Sequence, residues 1–369
     1  MNSARVAIVG GGLSGLYAAW LLQRQGVADW VLIEAREAPG GRILSVPVSA
    51  RPGEACRVDL GPSWFWPDYQ PQLDQLVREL GVPRFEQHEQ GDMVVERASD
   101  SAPVRARGYA NAPPSMRLAG GMGALVDGLR AQLDASRVLL GRAVRSLSCM
   151  PEGVELRLDG DGGEDRTWRV QHVLLAMPPR LAASTLEFEP ALADELAREW
   201  LGTDTWMAPH AKYFAVYEQA FWREQGLSGE ARSARGPLVE IHDASMPGGA
   251  AALFGFVGVP ARVRNSVPQD VLRAHCRAQL ARLFGPRAAT PVAEFLKDWA
   301  ADPLTATEAD AEASGQHAQA PAAAPSGGPW RGRLTGIGSE WSPQFPGYLA
   351  GAVDAATRGV LDVLAPRDG

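Results

Sequence analysis

Val6-Ala7-Ile8-Val9 is an unbroken apolar run, the pattern of a strand buried on both faces. Gly10, Gly11 and Gly12 interrupt it. Leu13, Leu16, Tyr17, Trp20 and Leu21 then recur at helical spacing as far as Gln25, and Gly26 is placed as a helix stop. Trp30 to Glu34 is a second buried run, so the chain opens as strand, turn, helix, strand. Leu73, Leu76, Val77 and Leu80 predict a helix over 72–80, closed by Gly81. Residues 82–117 are polar, Pro-rich and weakly patterned. Further on, the periodicity predicts helices over 123–133, 191–201 and 269–284, the last stopped by Gly285-Pro286. Strands are predicted over 138–147, 153–158, 168–175, 212–217, 238–241 and 253–259, with a turn cluster at 160–163. A surface loop rich in Ala, Pro and Gly covers 311–329. A strand at 334–338 and a terminal helix over 347–364 complete the chain, and no internal repeat is found.

Composition narrows the function classes. Hydrophobic residues are 46% and charged residues 21% of 369, which fits a folded chain rather than a disordered one. Glycine is in excess, 40 residues without a period, pointing to tight turns and close backbone approaches. The net charge of −7 without basic runs argues against nucleic acid and against an anionic membrane as partners. Cys56, Cys149 and Cys276 stand far apart, so neither a zinc site nor a disulfide framework is expected, in keeping with a reducing compartment. Residues 1–15 lack a signal-peptide layout, and no run approaches the roughly 18 apolar residues of a membrane span. The expected location is cytoplasmic.

Two constellations carry chemistry. Gly10-Gly11-Gly12-Leu13-Ser14-Gly15 satisfies GxGxxG between a strand and a helix. Gly10 permits the tight turn, Gly12 lets the backbone approach a pyrophosphate, and Gly15 allows close helix–strand packing. The helix start offers free N–H groups to phosphate. Glu34 ends the next strand, placed to accept hydrogen bonds from ribose hydroxyls and to disfavour a 2′-phosphate. The competing reading is a glycine-rich turn in an unrelated α/β protein. Glu34-Ala35-Arg36 followed by Gly40-Gly41-Arg42 forms the second constellation: another close backbone approach, with two arginines for a diphosphate. Its bland alternative is a loop with two solvated arginines.

Together these resemble the N-terminal region of the flavin-containing amine oxidases, in a group shared with phytoene desaturases. The resemblance continues through Val58 to Trp64, Arg117 to Met122, Leu174 to Pro179, Ala211-Lys212-Tyr213 with Phe221-Trp222-Arg223, Asp298 to Pro303, Gly336 to Glu340 and Pro346 to Ala352. It implies an α/β fold: a Rossmann-like FAD-binding domain with a smaller α+β substrate domain of mixed sheet. The cofactor domain is expected from 1–80, 115–195 and 300–369, and the substrate domain from 81–114 and 196–299. FAD is expected to be non-covalent, held by Gly10, Gly12, Leu13, Ser14, Gly15, Glu34, Ala35, Arg36, Gly40, Gly41 and Arg42. The resemblance adds Gly61, Pro62, Ser63, Val144, Ser339, Glu340 and Leu349 to that set. It gives Lys212 the role of holding a water near flavin N5, and Tyr348 that of aligning an amine lone pair. Trp64 and Tyr348 are the expected substrate contacts. For Lys212 an outward surface position in an alternating strand is the alternative, and for Tyr348 and Trp64 a place in the core.

The implied reaction is oxidation of a small-molecule amine to an imine, with molecular oxygen reoxidising the flavin to give hydrogen peroxide. The chain departs from the family in three respects: a missing aromatic, no cysteine after Trp299 to hold the flavin covalently, and a short 81–117 stretch. A second aromatic is expected about ten residues after Trp299, and Thr305 to Ala309 holds none. Trp341, Trp206 and Trp64 are the candidates to replace it. The short 81–117 stretch implies either a more open site or one covered by a homodimer partner. Two other readings stand beside amine oxidation: a flavin-dependent desaturase acting on carbon–carbon bonds, and a non-catalytic FAD-binding subunit.

Overall fold

A computed structural model describes residues 2–49, 56–98, 102–159, 167–312 and 319–365. The chain divides into two compact units, one of residues 1–42, 125–207 and 303–369, the other of 43–124 and 208–302. Residues 43–80 therefore group with the second unit. Their strands Ser45–Val48 and Cys56–Asp59 pair with each other and pack apolar side chains with Phe214, Val216 and Phe254.

The first unit is built on an eight-stranded sheet. Strand β1 (Asn2–Val9) is central, parallel to β2 (Trp30–Ile33) on one side and to Thr167–Leu175 on the other. Val138–Leu139 and Leu334–Gly336 extend the parallel part. Val144–Met150 and Gly153–Leu158 add antiparallel strands. Helix α1 (Leu13–Arg24) follows the glycine turn, and the terminal helix Leu349–Leu364 packs along it. The strand expected over 138–147 is broken in two because Gly141 turns the chain with φ +66°.

The second unit carries a seven-stranded mixed sheet. Ala211–Tyr217 lies between Ala251–Val257 and Ala293–Asp298, antiparallel to both. Leu227–Ser233 pairs parallel to Asp92–Glu96, the one parallel step. Its core takes Tyr213, Ala215 and Tyr217 on one face and Phe214 and Val216 on the other, the alternation a central strand requires. The weakly patterned 82–117 stretch contains four short strands, Arg84–Glu86, Asp92–Glu96, Val104–Ala106 and Met116–Leu118. The 160–163 turn cluster lies outside the described residues, as does part of the 311–329 loop. Among the described residues no helix is long and apolar enough to cross a membrane, and no group of three or more His, Cys, Asp or Glu could hold a metal.

Candidate active site

The dinucleotide turn sits at the carboxyl end of β1. Gly10 takes φ +111°, and a Cβ there would fall 2.6 Å from the Ala176 carbonyl. A Cβ on Gly15 would meet the Gly10 carbonyl at 2.0 Å, so the helix can approach the strand only without a side chain. Gly12 differs. Its φ of −72° suits any residue, and the nearest atoms to a Cβ, on Gly40 and Gly41, are 3.9–4.0 Å away. The fold does not require glycine at that position; the bare backbone there keeps the face over the helix start clear. Helix α1 begins without a side-chain cap, leaving its first-turn N–H groups for a ligand.

Glu34 closes the cradle and is only 6% exposed. One carboxylate oxygen accepts the Gly11 N–H at 2.5 Å and the other the Arg36 N–H at 2.8 Å. Each oxygen keeps a lone pair that ribose hydroxyls would use. The second glycine pair is drawn onto the first: the Gly40 N–H donates to the Gly11 carbonyl at 2.8 Å, and Gly12 bridges Gly40. The Arg36 guanidinium donates to Thr305 Oγ1. Ser14 turns its hydroxyl to the Ile337 carbonyl, so its side chain binds the neighbouring turn and its N–H is the group left toward a phosphate.

Arg42 was expected to offer charge to a diphosphate. Instead its guanidinium forks onto Glu340, at 2.5 and 2.9 Å, and reaches Ser339 Oγ at 3.0 Å. Ser339 also donates to Glu340. Burial opposes the Arg42 charge, but Glu340 and Asp310 outweigh it and hold its pKa above the ordinary arginine value. Arg42 and a residue 298 positions away thus form one neutral pair, sharing the Ser339 hydroxyl. Val144 is buried at the start of its strand. Leu349 is the first residue of the terminal helix, and Tyr348, its N-cap, provides no side-chain cap. The residues present fit FAD: a backbone cradle open over Gly12, an uncapped helix start, and a fixed acid at the ribose position.

Tyr348 is half-buried, and burial raises its phenol pKa. Its ring meets Trp206, with centroids 4.7 Å apart and planes at 45°. Trp341 belongs to the core, 2% exposed and packed on Trp200.

In the second unit Lys212 faces inward, 4% exposed, on the same side of its strand as Phe214 and Val216. Its ammonium donates to the Gly61 carbonyl at 2.5 Å and to Ser63 Oγ at 3.1 Å, and lies over the rings of Phe254 and Phe256. Burial drives its pKa down to about 7; Asp59 pulls it back up and Arg117 pushes it lower. Trp64 packs against the same Phe254 and against His242, and donates to Gln87. Pro62 lies between the two partners of Lys212, and Trp299 donates to the Leu60 carbonyl just before them.

Sequence reasoning missed three features. They are the Arg42–Glu340 fork, the Asp310–Arg180 contact near Trp206, and the buried Asp59, whose carboxylate accepts from Ser45 and the Met122 N–H. Burial foremost raises the Asp59 pKa. The signal available for it was an acid set between the apolar Val58 and Leu60.

The family model for flavin-containing amine oxidoreductases matches residues 89–364, and one for an NAD(P)-binding Rossmann-like domain matches 8–80. The Mycobacterium tuberculosis protein AofH, classed with the flavin-containing monoamine oxidases, is 26% identical, covering 98% of this chain and 96% of its own. A Dictyostelium discoideum protein classed as a flavin-containing monoamine oxidase A is 26% identical over 66% of this chain, and the match spans 52% of that protein. The solved structure of a putrescine oxidase bound to putrescine superposes with TM-score 0.79 at 21% identity, covering 99% of both chains, a likeness of fold. The chain belongs to the flavin-containing amine oxidoreductase family, and it is an FAD-dependent oxidoreductase.

Proposed function

We propose that the protein oxidises a small amine to an imine, which water hydrolyses to an aldehyde or ketone plus ammonia or an amine. Dioxygen is the terminal acceptor and hydrogen peroxide the second product. FAD, held without a covalent bond, supplies the two-electron acceptor at N5 when bound. The observation that carries the reading is the match of the amine oxidoreductase family model over three quarters of the chain, with Tyr348 beside the uncapped start of the terminal helix.

The chain's own residues divide the work. Gly10, Gly12, Leu13, Ser14 and Gly15 present backbone to the diphosphate, with Gly40 and Gly41 lining the approach. Glu34 with Ala35 and Arg36 takes the ribose, and Val144 lies at the adenine. Ser339, Glu340 and the Leu349 backbone hold the ring system, with Arg42 fixing Glu340. Tyr348 orients the neutral amine, and Trp64 lines its approach. Lys212 fixes Gly61-Pro62-Ser63 and holds a water that assists the step with oxygen. A pKa of about 7 lets it exchange a proton at neutral pH.

A peroxide assay over primary, secondary and polyamines tests this. Peroxide formed in step with aldehyde or ketone from one amine class is expected. A flavin-loaded protein that yields neither from any of them contradicts the proposal.

A further inference from the structure

The segment after Trp299 that lacks an aromatic has another task. Thr307 donates from its N–H and its hydroxyl to Asp310, both at 2.8 Å. Asp310 is fully buried, and its other oxygen accepts Arg180 at 2.7 Å and the Thr205 N–H at 2.9 Å. Arg180 also donates to the Leu201 carbonyl and pairs with Asp204. A buried ionic clamp therefore fixes residues 201–205, immediately before Trp206.

Two further details show that the Trp206 position is imposed by its surroundings. Met207 takes φ +65°, a left-handed conformation that is costly for a residue with a side chain and persists only where the surroundings enforce it. Gly347 also takes a positive φ, and a Cβ there would lie 2.9 Å from the Trp206 Cβ. The clamp and this gap set the indole against Tyr348. Both rings remain half-buried, unlike Trp341 and Trp200 in the core. Trp206 and Glu340 line one cleft together with Thr203, Asp204, Pro346 and Gly347. At 4.7 Å and 45° the rings touch and admit nothing between them. The two tilted, half-buried rings make an aromatic corner beside that cleft.

We propose that Trp206 is a substrate-contacting residue that, with Tyr348, takes the apolar body of the amine and so selects monoamines with a bulky hydrocarbon group. The proposal rests on the amine-oxidation reading. An aromatic corner contributes in proportion to the apolar surface laid on it, so its effect grows with the substrate's hydrocarbon and nearly vanishes for a small amine.

The test uses amines without an α-hydrogen, which bind but cannot be oxidised: tert-butylamine and 2-phenylpropan-2-amine. Each is titrated by calorimetry into the FAD-loaded wild-type protein, Trp206→Ala, Trp206→Phe and Trp206→Leu. Trp206→Ala is expected to weaken 2-phenylpropan-2-amine about tenfold and Trp206→Phe less than about threefold, with tert-butylamine changed less than about twofold. If Trp206→Ala does not retain FAD, Trp206→Leu decides, with the same expected ordering. Equal losses for both amines, or unchanged binding of the larger one, overturn the inference while leaving amine oxidation standing. A wild-type protein that binds neither and forms no peroxide with any amine removes the parent reading and this one with it.

Discussion

At the residue scale, the glycines of the opening turn are not equivalent. Gly15 is required by the fold, because any Cβ strikes the Gly10 carbonyl at 2.0 Å. Gly12 is not, because its φ is ordinary and its surroundings are open. Gly15→Ala is expected to destabilise the FAD-free protein by about 2 kcal/mol or more, in the range of overpacking. Gly12→Ala should change that stability by less than about 1 kcal/mol yet weaken FAD binding severely. Urea unfolding of the FAD-free proteins together with FAD titration separates the two. Equal effects on stability would refute the distinction. The Arg42–Glu340 fork makes a second residue-level prediction. Glu340→Gln leaves the Arg42 charge with only neutral acceptors, the new amide oxygen and Ser339 Oγ, and a stability loss of about 1–3 kcal/mol is expected in urea unfolding. A Glu340→Gln protein as stable as wild type would show the fork to be dispensable. The GxGxxG spacing and Glu34 were legible because they are local. The fork was not, since no sequence pattern links position 42 to position 340.

At the element scale, the buried strands of the first unit declared themselves as continuous apolar runs, and the terminal helix by its periodicity. Leu227–Ser233 did not. Its Ser228 and Ser233 are buried polar residues whose hydroxyls bond to Asp92 and Glu96, so its sequence reads as loop. The strands within 82–117 are only three to five residues long and mostly half-exposed, too short for a period to show. The all-buried strand Ala211–Tyr217 was legible, but whether Lys212 points inward was not; register against two neighbours decides it. Its consequence can be measured. The lysine titrates at about 7 when folded and at 10.5 when unfolded, so from pH 7 to 9 the unfolded chain binds the extra proton. Stability therefore rises with pH in that window, by at most about 1.4 kcal/mol per unit. Above pH 9 the sign reverses, because burial raises the Cys276 thiol to about 12 and the Tyr213 and Tyr217 phenols above their usual value. Lys212→Met is expected to flatten the rise between pH 7 and 9 and to slow flavin reoxidation by oxygen. A variant that keeps the slope would place the titration elsewhere, and one with unchanged reoxidation would remove Lys212 from that step.

At the scale of the whole molecule, many short motifs in one order carried the family assignment from sequence, where no single motif would have. The match to the Mycobacterium tuberculosis relative runs over 464 aligned positions against a chain of 369. About a fifth of those positions therefore have no counterpart here. The chemistry is a separate question from the fold. Amine oxidation requires that an amine deliver electrons to the bound flavin. The most direct measurement is anaerobic: FAD-loaded protein is mixed with each of a panel of primary, secondary and polyamines while the flavin's visible absorbance is followed. Bleaching by one amine class, reversed on admitting air with release of peroxide, is the predicted result. A flavin that dithionite reduces but no amine bleaches would contradict amine oxidation.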